Sequence, residues 1–221
     1  MEKTENWKAA KWKTSMRITL DYKNMMADSI GKGYGINLSE IEKMSSTAKR
    51  IDKVLKQGWR ERRIGFFDLP FQGENVDKIK SFSKKVKSGY DSFVVLGIGG
   101  SALGPIALQT ALNPPYYNLL TKKERNGSPK LFVADNIDPA GFEGILRVVD
   151  PEKTIFNVIS KSGGTAETMS QFIIVREMLK KRLGKNYKNH IVATTDPEKG
   201  ILRKIAADEG LETFPIPANV G

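Results

Sequence analysis

From Ser92 onward the chain alternates short, almost uncharged apolar runs with longer amphipathic stretches. Phe93-Val94-Val95-Leu96-Gly97-Ile98 has no charged position, the pattern of a strand covered on both faces of a parallel sheet. Similar runs follow at Lys130-Leu131-Phe132-Val133-Ala134, Thr154-Ile155-Phe156-Asn157-Val158-Ile159 and His190-Ile191-Val192-Ala193-Thr194. A last piece, Thr213-Phe214-Pro215-Ile216, fits an edge strand, where proline is tolerated. Between them the spacing predicts helices over Leu103–Leu112, Pro139–Val149, Thr165–Leu183 and Glu198–Gly210. In the third of these, Met169, Phe172, Ile173, Met178 and Leu179 recur at helical spacing and read as core. Four or five strands separated by helices predict an α/β fold with a doubly wound parallel sheet flanked by helices, in which ligands bind beyond the carboxyl ends of the strands.

The first ninety residues read differently. Ser39-Glu40-Ile41-Glu42 is a capping-box pattern, and Ile41, Met44, Ala48, Ile51 and Leu55 continue at helical spacing toward Gly58. Arg63 to Pro70 reads as an extended segment stopped by proline, and Val76, Ile79, Phe82 and Val86 mark another amphipathic helix. The expected division is a helical region over 1–90, without a sheet of its own, and an α/β domain over 91–221.

Composition narrows the chemistry. The 221 residues include no Cys and one His, which removes disulfides, thiolate metal sites, Cys nucleophiles and multi-histidine metal centres. The start, Met-Glu-Lys-Thr-Glu-Asn-Trp-Lys, has no apolar leader core, and no apolar stretch approaches the ~20 residues that span a bilayer, so a soluble cytoplasmic protein is expected. The formal charge is +11, but residues 1–90 carry 20 Lys/Arg against 11 Asp/Glu, whereas residues 91–221 carry 16 against 14. The basic residues of the first part are scattered and not interleaved with stacking aromatics. They read as a solvated face, with neither nucleic acid nor membrane as a partner.

Two loops carry the candidate chemistry. Leu96-Gly97-Ile98-Gly99-Gly100-Ser101-Ala102-Leu103-Gly104-Pro105 lies between the first strand and its helix. Ile159-Ser160-Lys161-Ser162-Gly163-Gly164-Thr165-Ala166-Glu167-Thr168 occupies the same place after the third. Three hydroxyls, two glycines and a helix start within six residues make a cradle for one phosphate group. A Walker A loop needs Gly-Lys-Ser/Thr, and here Lys161 precedes the glycines. The first loop meets a relaxed dinucleotide pattern, but residues 113–123 contain no acid at the expected distance. Glu167 is suited to the first turn of a helix by its charge alone, and Thr168 reads as a first-turn residue. Asp196 reads as an N-cap, and His190, at the amino end of a strand, as a structural or surface histidine.

Together the two loops resemble those of the phosphoglucose isomerase family. Gly65-Phe66-Phe67-Asp68-Leu69-Pro70 upstream and Ala193-Thr194-Thr195-Asp196-Pro197 downstream match in the family's order. The resemblance implies a sugar-isomerase (SIS) domain with five parallel strands. It also implies that Ser160, Lys161, Ser162, Gly163, Gly164 and Thr165 bind a sugar phosphate, with Gly100 and Ser101 beside the sugar and Glu167 in support. The implied reaction interconverts glucose 6-phosphate and fructose 6-phosphate through an enediol, by proton transfer alone, without a metal or redox cofactor. The family's Arg, base Glu, His and Lys fall beyond the segment matched here. The expectation is therefore an N-terminal fragment with no catalytic residue of its own, from a longer homodimeric enzyme, with apolar surface left exposed. The alternative is a stand-alone SIS-type module that binds a phosphosugar without turnover.

Overall fold

The structure, a computed structural model, describes residues 19–220. It comprises two compact units, divided between Arg60 and Glu61. The N-terminal leader reading of Met1–Lys8 falls outside the described residues.

In the first unit, α1 (Ala27–Ile30) is followed by α2 (Leu38–Lys43) and α3 (Ser45–Arg60). The helix expected as one piece is interrupted at Met44. Its cap is Asn37 rather than Ser39, because Asn37 has extended backbone and its N–H donates to the Glu40 carboxylate at 2.7 Å. Ser39 thus lies inside the first turn.

The second unit opens with a 3₁₀ helix, Phe66–Phe71, where an extended segment was expected. Pro70 tolerates this because its fixed φ suits a 3₁₀ turn. Just before it, the Gly65 N–H donates to the Asn219 carbonyl at 2.9 Å, and the Asn219 side-chain amide donates to the Arg62 carbonyl at 3.0 Å. Then come α4 (Gly73–Gly89), β1 (Ser92–Leu96), α5 (Gly100–Leu112), β2 (Lys130–Ala134), α6 (Pro139–Val148), β3 (Thr154–Ser160), α7 (Ala166–Leu183), β4 (Ile191–Thr195), α8 (Ile201–Glu209) and β5 (Glu212–Pro215). The five strands pair in parallel in the order β2-β1-β3-β4-β5, with β5 on the edge as its proline requires.

Strand periodicity divides the core. Val94, Leu96, Phe156, Val158, Ile191 and Ala193 face α6, α7 and α8, where Phe142, Phe172, Val175, Leu179, Leu202 and Ala206 complete a dense layer. The residues of α7 that face the sheet are Thr168, Gln171, Phe172, Val175 and Leu179, whereas Ile173 is 51% exposed and leaves the expected core. The opposite face packs Ile155 and Val192 against Val86 of α4. There the cover is looser: a mainly apolar cavity of about 500 Å³ lies among Phe82, Val86, Phe93, Tyr117 and Phe214, and α5 leaves Leu103, Leu108 and Leu112 exposed.

Candidate functional site

Strand order places the two glycine loops side by side. Chain direction across the sheet reverses between β1 and β3: β1 leads toward β2 on one side, and β3 toward β4 on the other. In open parallel sheets that reversal opens a crevice at the carboxyl ends of the strands. The loop after β1 holds Gly97–Gly100, and the loop after β3 holds Lys161–Thr165, so both border this crevice.

Two helices start there without side-chain caps. Gly99, which has no side chain to offer, stands at the N-cap of α5, and Thr165 stands at that of α7, where its hydroxyl accepts nothing from the helix. By contrast, α6 is capped by Asp138, whose carboxylate accepts from the Gly141 N–H at 2.7 Å. At α5 the Ser101 and Ala102 N–H groups already donate to the Ile98 and Gly99 carbonyls, whereas among the described residues no carbonyl outside α7 takes its first-turn N–H groups, and such donors beside a positive helix end form a ready anion site.

The hydroxyls of the second loop have separate tasks. Ser160 is 1% exposed, and its Oγ accepts from the Gly163 N–H at 3.1 Å and lies 3.0 Å from Thr165 Oγ1. Since Ser160 Oγ already accepts from Gly163, its own hydrogen can go to Thr165 Oγ1. Ser162 is exposed, and its Oγ accepts from the Gly164 N–H at 3.3 Å. Lys161, Thr165 and Glu167 are half-buried, as is Ser101 in the first loop, while Gly100 is exposed.

Residues that the sequence reading left unassigned hold this loop in place. The Thr195 hydroxyl donates to the Ser160 carbonyl at 2.6 Å, and the Leu202 N–H donates to the Gly163 carbonyl at 3.0 Å. Gly163 (φ +67°) and Gly200 (φ +99°) meet back to back; a Cβ on Gly200 would lie 2.5 Å from the Ser162 carbonyl oxygen. The dipeptide Lys199-Gly200 before a helix was the available signal, but only the fold shows what Gly200 touches. Asp196 accepts from the N–H groups of Glu198 and Lys199 at 2.8 and 2.9 Å, which hold its carboxyl below the usual range. It therefore caps a turn and not the helix, whose N-cap is Gly200. His190 is buried at the amino end of β4, with Nδ1 3.0 Å from the Thr154 carbonyl oxygen and its ring edge-on to Tyr90, remote from the crevice.

The family model for phosphoglucose isomerase matches residues 28–212, which includes both loops and the sheet up to the start of β5. The chain belongs to the phosphoglucose isomerase family. A glucose-6-phosphate isomerase of Carboxydothermus hydrogenoformans is 51% identical over 181 residues, 81% of this chain and 38% of that protein. One from Rubrobacter xylanophilus is 41% identical over 206 residues, covering 92% of this chain and 45% of its own length. Among solved structures, a hypothetical protein from Thermus thermophilus matches with a TM-score of 0.69 and 34% identity over 83% of this chain and 41% of its own. A glucose-6-phosphate isomerase from Chlamydia trachomatis matches with a TM-score of 0.55 and 28% identity, covering 67% of this chain and 26% of that one. The chain thus spans about two-fifths of the length of these curated phosphoglucose isomerase relatives.

Proposed function

We propose that this chain supplies the phosphate-binding half of a glucose-6-phosphate isomerase site. The observation that carries the reading is the pairing of an uncapped α7 with the braced Ser160–Thr165 loop at the strand-order reversal. A phosphate ester near pH 7 carries about −1.5 to −2 charges and three acceptor oxygens. The first-turn N–H groups of α7 and the hydroxyls of Ser162 and Thr165 are the donors that suit it, each bond to a charged group contributing about 1.5–3 kcal/mol. Ser160 works through Thr165, Gly163 and Gly164 let the backbone approach the anion, and Lys161 adds positive charge. Gly100 and Ser101, across the crevice, face the sugar, and Glu167 supports the helix start.

The substrates follow as hexose 6-phosphates, interconverted as aldose and ketose by moving a proton between adjacent carbons. No residue of this chain is given the catalytic proton transfer. Its contribution is to hold the phosphate so that the reacting carbons, at the other end of the sugar, are presented in one place. With this reading go a functional division into residues 1–90 and 91–221, a cytoplasmic setting and a homodimer in the complete enzyme.

Calorimetric titration of the 221-residue chain with 6-phosphogluconate, beside glucose and inorganic phosphate, tests the proposal. Expected is binding of the phosphosugar that disappears in the Ser162→Ala/Thr165→Ala variant. A folded chain that binds no phosphosugar, or a double variant that binds as well as the parent, overturns it.

A further inference from the structure

The sheet-facing stripe of α7 begins with two polar residues where a core helix would place apolar ones. Thr168 is 0% and Gln171 is 2% exposed. Being three positions apart, they share one face of the helix. The Gln171 amide nitrogen donates to the main-chain carbonyl of Asn136 at 2.7 Å, and Asn136 lies in the loop between β2 and α6. Thr168 Oγ1 and Gln171 Oε1 have no hydrogen-bond partner among the described residues.

That arrangement costs stability. A buried acceptor left unpaired forfeits its hydration, and an apolar side chain of the same shape avoids the penalty. Phe172, Val175 and Leu179 fill the rest of the same stripe, so packing alone does not demand an amide here. What the amide does provide is a tie across the sheet. α7 follows β3 and Asn136 follows β2, and β1 lies between those strands. The tie therefore spans the carboxyl end of β1, where the Gly97–Gly100 loop emerges. The loop is tied to β2 through the Gly97 N–H, which donates to the Ala134 carbonyl at 3.4 Å, and to its own helix through the Ile98 and Gly99 carbonyls, but no backbone carbonyl among the described residues accepts from the N–H of Gly99 or Gly100.

We infer that Gln171 is a positioning residue: its bond to Asn136 holds the loop after β2 against α7 and fixes the glycine loop of β1 between them, at a set distance from the phosphate cradle. The inference rests on the proposed phosphosugar site for its purpose, but not for its structural content.

Two measurements on Gln171→Met separate the two. Hydrogen exchange of the ligand-free chain is expected to show faster amide exchange at 98–101 and 135–138 with Tm unchanged or raised, since Met keeps the volume and removes the orphaned oxygen. Titration with 6-phosphogluconate is expected to show affinity lowered about tenfold. Unchanged exchange in both segments overturns the inference, whether or not the parent chain binds the probe. Faster exchange in the variant, alongside a parent chain that binds no probe, upholds the tie and overturns the site reading. Faster exchange with unaltered affinity overturns the positioning role. If the Met variant does not fold, Gln171→Asn decides by the same readouts, because it keeps the buried amide but is one methylene too short to reach Asn136.

Discussion

The α-carbon of Gly200 rests against the carbonyl oxygen of Ser162, so closely that a Cβ there would stand 2.5 Å from it. The Ser160–Thr165 loop is thereby shaped from behind by the turn before α8. Gly200→Ala must relieve both this overlap and a φ of +99°, strain of about 1–3 kcal/mol for the backbone alone. The expected result is a lower Tm together with weaker phosphosugar binding. Unchanged values of both would show that the contact yields freely.

Thr165 is expected to matter more than Ser162. Thr165→Val keeps the shape and removes the hydroxyl that Ser160 braces. Its predicted cost is about 1.5–3 kcal/mol of binding free energy, roughly ten- to a hundredfold in Kd. Ser162 is exposed and solvated, so Ser162→Ala should cost less. Calorimetry on the two single variants orders them.

Acid should loosen the far end of α7. Glu209 on α8 receives hydrogen bonds from Arg176, Tyr187 and Lys180, and the Arg176 guanidinium foremost holds its carboxyl down to about 2. Desolvation and the same carboxylate push Tyr187 up to about 12. A depressed carboxyl stabilises the folded state above its unfolded value near 4.5, and that contribution drains away as pH falls toward 2. At 1.36 kcal/mol per unit, about 3 kcal/mol is the upper bound. Glu209→Gln should flatten the loss of stability between those pH values, followed by denaturant unfolding.

Phe172 is fully buried between α7 and the sheet, in the cluster with Val158 and Leu202. Phe172→Ala is expected to cost about 3–5 kcal/mol through lost burial and the cavity left behind. Chemical denaturation measures it. A loss under about 1 kcal/mol would mean the helix collapses inward to fill the space.

The second unit was largely legible as pattern. Five apolar runs became five strands, because a parallel sheet buried on both faces leaves little room for charge. The place of both glycine loops, each at a strand-helix junction, was visible as well, because glycines and hydroxyls interrupt the apolar runs there. What escaped the pattern depends on neighbours distant in sequence. Pairing of Gly163 with Gly200, the bond from Thr195 to Ser160, and the reach of Gln171 to Asn136 are set by strand order, which periodicity along the chain does not encode. Ile173 misled because its spacing fits a core stripe while the sheet meets α7 along another, led by the polar Thr168 and Gln171. The Phe66–Phe71 segment misled because proline ends a strand and is equally at home in a 3₁₀ turn.

The bonds joining Gly65 and Arg62 to Asn219 bring together points of the second unit that lie as much as 157 positions apart in the chain. A stretch of chain closed on itself in this way can be grafted into a loop of another protein, or joined across the closure and cut elsewhere, without stretching its sheet. In evolutionary terms, such a piece can be copied, inserted or appended as a unit, with both glycine loops carried along in their places.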